Sequence, residues 1–127
     1  KDIKTPSEIT FRRISSTDLL KEGNSYDFVI SNHLVHHLGD KELLQLLEES
    51  KALSNMKVLF NDIERSDLGY FLFNLLSRPV FRSSFITEDG LTSIKRSYTA
   101  RELRAKIPTE WKVKRIFPYR LLLSYEH

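Results

Sequence analysis

The sequence contains no cysteine. That excludes a disulfide framework and thiolate chemistry, and it fits a reducing compartment, so a cytoplasmic location is expected. No apolar run approaches the length of a membrane span, and Lys1-Asp2-Ile3-Lys4 does not begin a signal peptide. Charge of one sign is also lacking. Twenty basic residues stand against 17 acidic ones, a net charge of +3, and no basic arm gathers them. Nucleic acid is therefore not an expected partner, and the charges read as a mixed, solvated surface. There is no Gly-x-x-x-x-Gly-Lys phosphate loop and no Gly-x-Ser-x-Gly nucleophile turn. Repeats, low-complexity tracts and a domain linker are absent as well.

What is present suits one small domain. The chain has 127 residues, 40% of them hydrophobic and 29% charged, enough for a modest core. Residues 1–7 are polar, with Pro6 stopping any helix. Ile9 to Ile14 alternates like a half-exposed edge strand, placed at residues 8–14. Ser15 to Leu20 reads as a turn or a single helical turn. Glu22-Gly23-Asn24-Ser25 is a loop.

Tyr26 to Ile30 is apolar apart from Asp27, the pattern of a strand buried on both faces in a parallel sheet. Leu43, Leu44, Leu46, Leu47 and Leu53 then recur at helical spacing, with Gly39-Asp40 as break and N-cap. Lys57 to Asp62 is a second buried strand. Residues 26–62 thus form a strand-helix-strand unit. Asp67 to Ser77 is a helix, apolar nearly all round, ended by Arg78-Pro79. Such a helix is deeply buried or covers something apolar. Residues 80–98 look irregular, with Asp89-Gly90 as a turn. Thr99-Ala100-Arg101-Glu102 is a capping box that opens a short helix, and Pro108 stops it beyond Ile107. Trp111–Phe117 and Tyr119–Tyr125 read as an antiparallel pair of strands.

Three of these strands run into polar residues: Asp18, then Ser31-Asn32-His33, then Asn61-Asp62. In open parallel sheets ligands bind beyond the carboxyl ends of the strands, so a crevice is expected there. Asp18 could accept hydrogen bonds from an exocyclic amine or a ribose, or it could simply cap a turn. His33, His36 and His37 stand at i, i+3 and i+4. On a helix that spacing makes a metal-binding face, but zinc sites of this kind also need a distant ligand and a hydrogen-bonded outer shell, and no metal is expected. One of the three could instead serve as a general base near neutral pH. Packing of His37 and plain solvation of His33 are the alternatives.

These residues resemble the class I S-adenosylmethionine-dependent methyltransferases. The resemblance rests on Tyr26 to Asn32 followed by Leu34-Val35-His36-His37-Leu38, which is similar to that family's segment after strand four. The leucine-rich helix, Val58 to Asp62 as strand five, and the hairpin at 111–125 support it. Asp89 to Thr99, with Glu102-Leu103, looks like a subgroup acting on small molecules. The resemblance implies an α/β fold: the C-terminal portion of a Rossmann-like methyltransferase sheet, strands three to seven with a closing antiparallel hairpin. It places Asp18 and Leu19 at the donor's adenine, and Ser31, Asn32 and His33 beside its methionine part and methyl group. His36 or His37 would stand near the acceptor as catalytic residue. Residues 67–98 would form a lid over the acceptor, and 99–125 the last helix and hairpin.

The family's glycine-rich Gly-x-Gly-x-Gly loop is absent, and so is the acidic residue that holds the ribose. The resemblance therefore implies a partial domain over residues 1–127 with the glycine-rich N-terminal half missing. The implied activity is methyl transfer from S-adenosylmethionine to oxygen or carbon of a small apolar acceptor by the intact parent protein. This chain alone is expected to be inactive, with weak or no binding of S-adenosylhomocysteine. Self-association or domain swapping through the bare edge of strand four is expected too. A second expectation, from a different class, is a non-catalytic module that binds a protein through the apolar segment 67–86 and the open sheet edge.

Overall fold

A computed structural model describes residues 9–80 and 86–127. The polar lead at 1–7 with its Pro6 stop, and positions 81–85 of the segment 67–98, lie outside the described residues. The fold is α/β, built on a four-stranded, mixed, open sheet. Its strands are β1 (Tyr26–Asn32), β2 (Ser54–Ile63), β3 (Lys112–Ile116) and β4 (Arg120–Glu126), in the order β1-β2-β4-β3. β1 and β2 are parallel, in the register Val29 to Val58 and Asn32 to Asn61. β4 runs antiparallel to both β2 and β3. The helices are α1 (Ser16–Lys21), α2 (Asp40–Leu53), α3 (Asp67–Val80), α4 (Ile86–Arg96) and α5 (Ala100–Lys106).

Strand side chains alternate between faces, and the pairing aligns like with like. One face carries Val29, Val58, Phe60, Leu121 and Leu123. Against it lie Leu43 and Leu47 of α2 and Leu103 of α5, all fully buried or nearly so. Burying one such leucine stabilises the fold by about 1.5–3 kcal/mol. Trp111 closes the end of this core, 6.1 Å from the Phe60 ring and 5.3 Å from that of Tyr125. The leucine spacing of α2 and the capping box of α5 form as the sequence predicts. Thr99 Oγ1 accepts from the Glu102 N–H, and Glu102 Oε2 accepts from the Thr99 N–H. For α2 the N-cap is Gly39 rather than Asp40. Glu42 Oε2 accepts from the Gly39 N–H at 2.9 Å, which caps the first turn from the other side.

Four expectations differ from the structure. Residues 9–14 form no strand: the backbone there joins no ladder, Phe11 is exposed, and α1 follows directly. The expected edge strand at 8–14, strand three of the resemblance, is therefore absent over the described residues. β1 is not buried on both faces. It is the edge of the sheet, and Phe28 and Ile30 on its outer face are 53% and 73% exposed. Pro79 does not end α3, which continues to Val80. Residues 86–96 are helix, not irregular, and Asp89-Gly90 lies inside α4. A β-carbon on Gly90 would come within 2.4 Å of the Phe73 ring, so glycine serves here as a point of close approach between α3 and α4.

Candidate functional site

Several elements end at one rim of the sheet. β1 and β2 deliver their carboxyl ends there, where Asn61 Nδ2 donates to Asn32 Oδ1 at 2.6 Å. The β3–β4 turn arrives at the same rim because β4 begins opposite the end of β2, with Arg120 paired to Ile63. β1 is broken off by His33, whose φ is +56°, while its N–H still reaches Asn61 O at 2.9 Å. In the β3–β4 turn, Tyr119 takes φ +52°. Left-handed backbone costs a non-glycine residue about 1 kcal/mol. Both residues that bear this cost line the same cavity.

That cavity has a volume of about 610 Å³ and lies between the sheet rim and the α3–α4 pair. Ile63, Leu72, Phe73, Ile94 and Tyr119 give it an apolar wall, with His33 and Arg120 as polar contributors. Buried Glu64 also borders it. Its Oε1 forms an ion pair with Arg115 Nε at 2.8 Å, so its charge is paired. Gly69 lets α3 approach the turn: a β-carbon there would sit 3.1 Å from the Tyr119 ring.

The three histidines go to three different places. His33 is exposed and lines the apolar cavity. His36 is buried: its Nδ1 lies 2.6 Å from Asp62 Oδ1, and its N–H donates to Asp62 Oδ2 at 2.8 Å. That pairing puts the ring hydrogen on Nδ1, facing the carboxylate. Nε2 is buried without a partner among the described residues. Asp62 also accepts from the Ile63 N–H at 2.7 Å, so it ties the 3₁₀ turn Val35–His37 to the end of β2. His37 is exposed and borders a second, polar cleft of about 400 Å³, together with Ser16, Thr17, Gln45 and Glu49. Among the described residues no group of side chains has the makings of a metal site.

The other predicted positions scatter similarly. Asp18 sits in the exposed first turn of α1, where Ser15 is the N-cap. Its Oδ2 accepts from Ser15 Oγ at 2.8 Å, and that bond, helped by Lys21, holds the carboxyl below the ordinary carboxylate value. Leu19 is half-buried in the same helix. Ser31 and Asn32 end β1 at the rim, but of the five donor-binding candidates only His33 borders the apolar cavity. α1 is fixed through its neighbours: Ser16 Oγ and Thr17 Oγ1 donate to Glu49 of α2 at 2.5 and 2.6 Å. Sequence reasoning missed Gly69, Ile94 and Tyr119 as cavity residues. The one sequence signal for them is the all-round apolar character of α3, which demands an apolar neighbour. Comparison with protein-family models and with curated proteins finds no match for the chain.

Proposed function

We propose that this chain is the acceptor side of an S-adenosylmethionine-dependent methyltransferase, acting on oxygen or carbon of a small apolar molecule. The observation that carries the reading is the apolar cavity of about 610 Å³ at the carboxyl ends of two parallel strands. The strand order supports it. The family's sheet runs 3-2-1-4-5-7-6, and β1-β2-β4-β3, with β4 antiparallel, has the pattern of its last four strands.

The reaction is an in-line displacement at a sulfonium methyl, which gains most from holding two reactants in line. The cavity walls orient the acceptor and exclude water. An acceptor hydroxyl must also lose its proton. Of the three histidines, His33 borders the cavity, while buried His36 is not among its lining residues and His37 faces the polar cleft. The reading therefore moves the proton-accepting role from His36 or His37 to His33. Asn32 lies next to it at the rim and remains the candidate for the donor's methionine part.

The test is transfer of a labelled methyl group from S-adenosylmethionine to a panel of apolar phenols and enols by the intact parent protein. His33→Asn keeps a residue that tolerates left-handed backbone but removes the base, and turnover should fall about a hundredfold or more. His37→Ala should leave it within a few-fold. No transfer to any acceptor, together with no binding of S-adenosylhomocysteine, overturns the reading.

A second reading has its own observation. The edge of β1, unpaired among the described residues and with Phe28 and Ile30 exposed, also suits a non-catalytic module that binds another protein chain.

A further inference from the structure

The cavity does not end at its mouth. Leu76 lines it and yet is 65% exposed, so that side chain belongs both to the cavity wall and to the outer surface of α3. Leu72 lines the cavity too. On a helix its neighbours three and four residues away are Leu68, Leu75 and Leu76, and Phe71 adjoins Leu75 in the same way. Leu68, Phe71 and Leu75 are each more than half exposed. By this spacing Leu72, with Leu75 and Leu76 beside it, connects the inside of the cavity to a shallow groove. That groove has a volume of about 490 Å³ and is lined by Phe71, Leu75 and Pro79 together with Asn74 and Arg78. Arg78 Nε donates to Asn74 Oδ1 at 2.5 Å, so the two polar side chains of the lining are bonded to each other. Several exposed large apolar side chains in one continuous patch mark a binding surface rather than chance exposure.

We propose that the cavity and the groove are one site for a tailed amphiphile. An apolar ring or carbonyl head occupies the cavity, and a flexible hydrocarbon tail leaves past Leu76 and lies along the Phe71–Pro79 groove. From Leu76 back to Phe71 the helix axis covers about 7.5 Å, the length of a roughly six-carbon tail. Apart from the bonded Asn74–Arg78 pair the groove wall is apolar, so selection along it is chiefly for length. This deepens the reading of the cavity as the acceptor site and rests on it for the head alone. The methyl donor does not enter.

The experiment is equilibrium binding of a series of 4-alkylphenols, with no tail and with four, eight and ten carbons, followed by titration calorimetry below their micelle-forming concentrations. Affinity should rise about two- to fourfold per added methylene until the groove is filled, and then level off. Leu75→Ser and Phe71→Ser should each lower the ratio of ten-carbon to tail-less affinity at least tenfold. Circular dichroism reports whether α3 still forms, and the chain-length series on the unaltered protein decides the matter if a variant does not fold. Binding that does not depend on tail length overturns the proposal while leaving the cavity reading standing. Failure of every phenol to bind overturns both. If tail length is without effect and Leu75→Ser changes the sedimentation of the protein, the stripe is a protein interface and the proposal fails.

Discussion

Asp62 shows how much one side chain can decide. Its carboxylate is buried and accepts three hydrogen bonds, two of them from His36. A buried carboxylate is tolerable only when so satisfied, and truncating one partner strands the other. Asp62→Ala should therefore destabilise the fold by about 3–5 kcal/mol, read as a lower urea midpoint. His36→Ala should cost less than that, because Asp62 keeps the His36 and Ile63 backbone donors. The sequence marks Asn61-Asp62 as a polar strand end, and the structure turns that aspartate inward. The partner stands 26 residues away, so neither local spacing nor histidine periodicity could reveal it. The same distance explains why His36 reads as a catalytic candidate in the sequence and is a buried, bonded group in the fold.

Elements were legible wherever local chemistry and tertiary packing agree. α2, β2, α5 and the β3–β4 hairpin carry their own period, caps and stops. α4 was not legible, because Asp89-Gly90 looks like a turn until the Phe73 ring is placed against it. β1 was legible as a strand and misread in burial, since exposure depends on what covers the sheet face and not on the strand's own residues. The docking of α1 onto α2 is a polar contact with a pH signature. Burial pushes the Glu49 carboxyl up, but the bonds from Gln45, Ser16 and Thr17 together outweigh it and hold the group below its ordinary value. A carboxyl depressed in the folded state stabilises fully above its unfolded value and loses that contribution as pH falls through the folded one. The difference in stability between the protein and Glu49→Gln should therefore be largest near neutral pH. It should shrink as pH drops below the ordinary value of 4.5. Urea titrations across that range measure it, and a difference that grows toward acid would contradict the assignment.

For the whole molecule the sheet has one finished side. Helices α2 and α5 bury the face of Val58, Phe60, Leu121 and Leu123, whereas β1 leaves its edge unpaired among the described residues and its outer face uncovered. Edges of this kind pair with other strands. Two copies meeting antiparallel about Val29 would set Phe28 of each across from Ile30 of the other, and Asp27 across from Ser31, with no like charges opposed. Light scattering at rising concentration should then detect dimers, and Ile30→Lys should abolish them. Equal masses for the protein and this variant at every concentration would refute pairing through β1. The mixed, open α/β sheet itself could be anticipated from the strand-helix-strand pattern and the closing hairpin. The division of the polar residues between two clefts could not, because it depends on how α1 and the α3–α4 pair settle around the rim.

Gly69 has a consequence for what the cavity can admit. The ring of Tyr119 lies 3.1 Å from the place where a side chain at that position would begin. The width between helix and turn is therefore set by a missing carbon. A methyl group there would act as a wedge and hold α3 away from the turn by a few tenths of an ångström. Gly69 thus sets one width of the cavity wall while contributing no chemistry of its own.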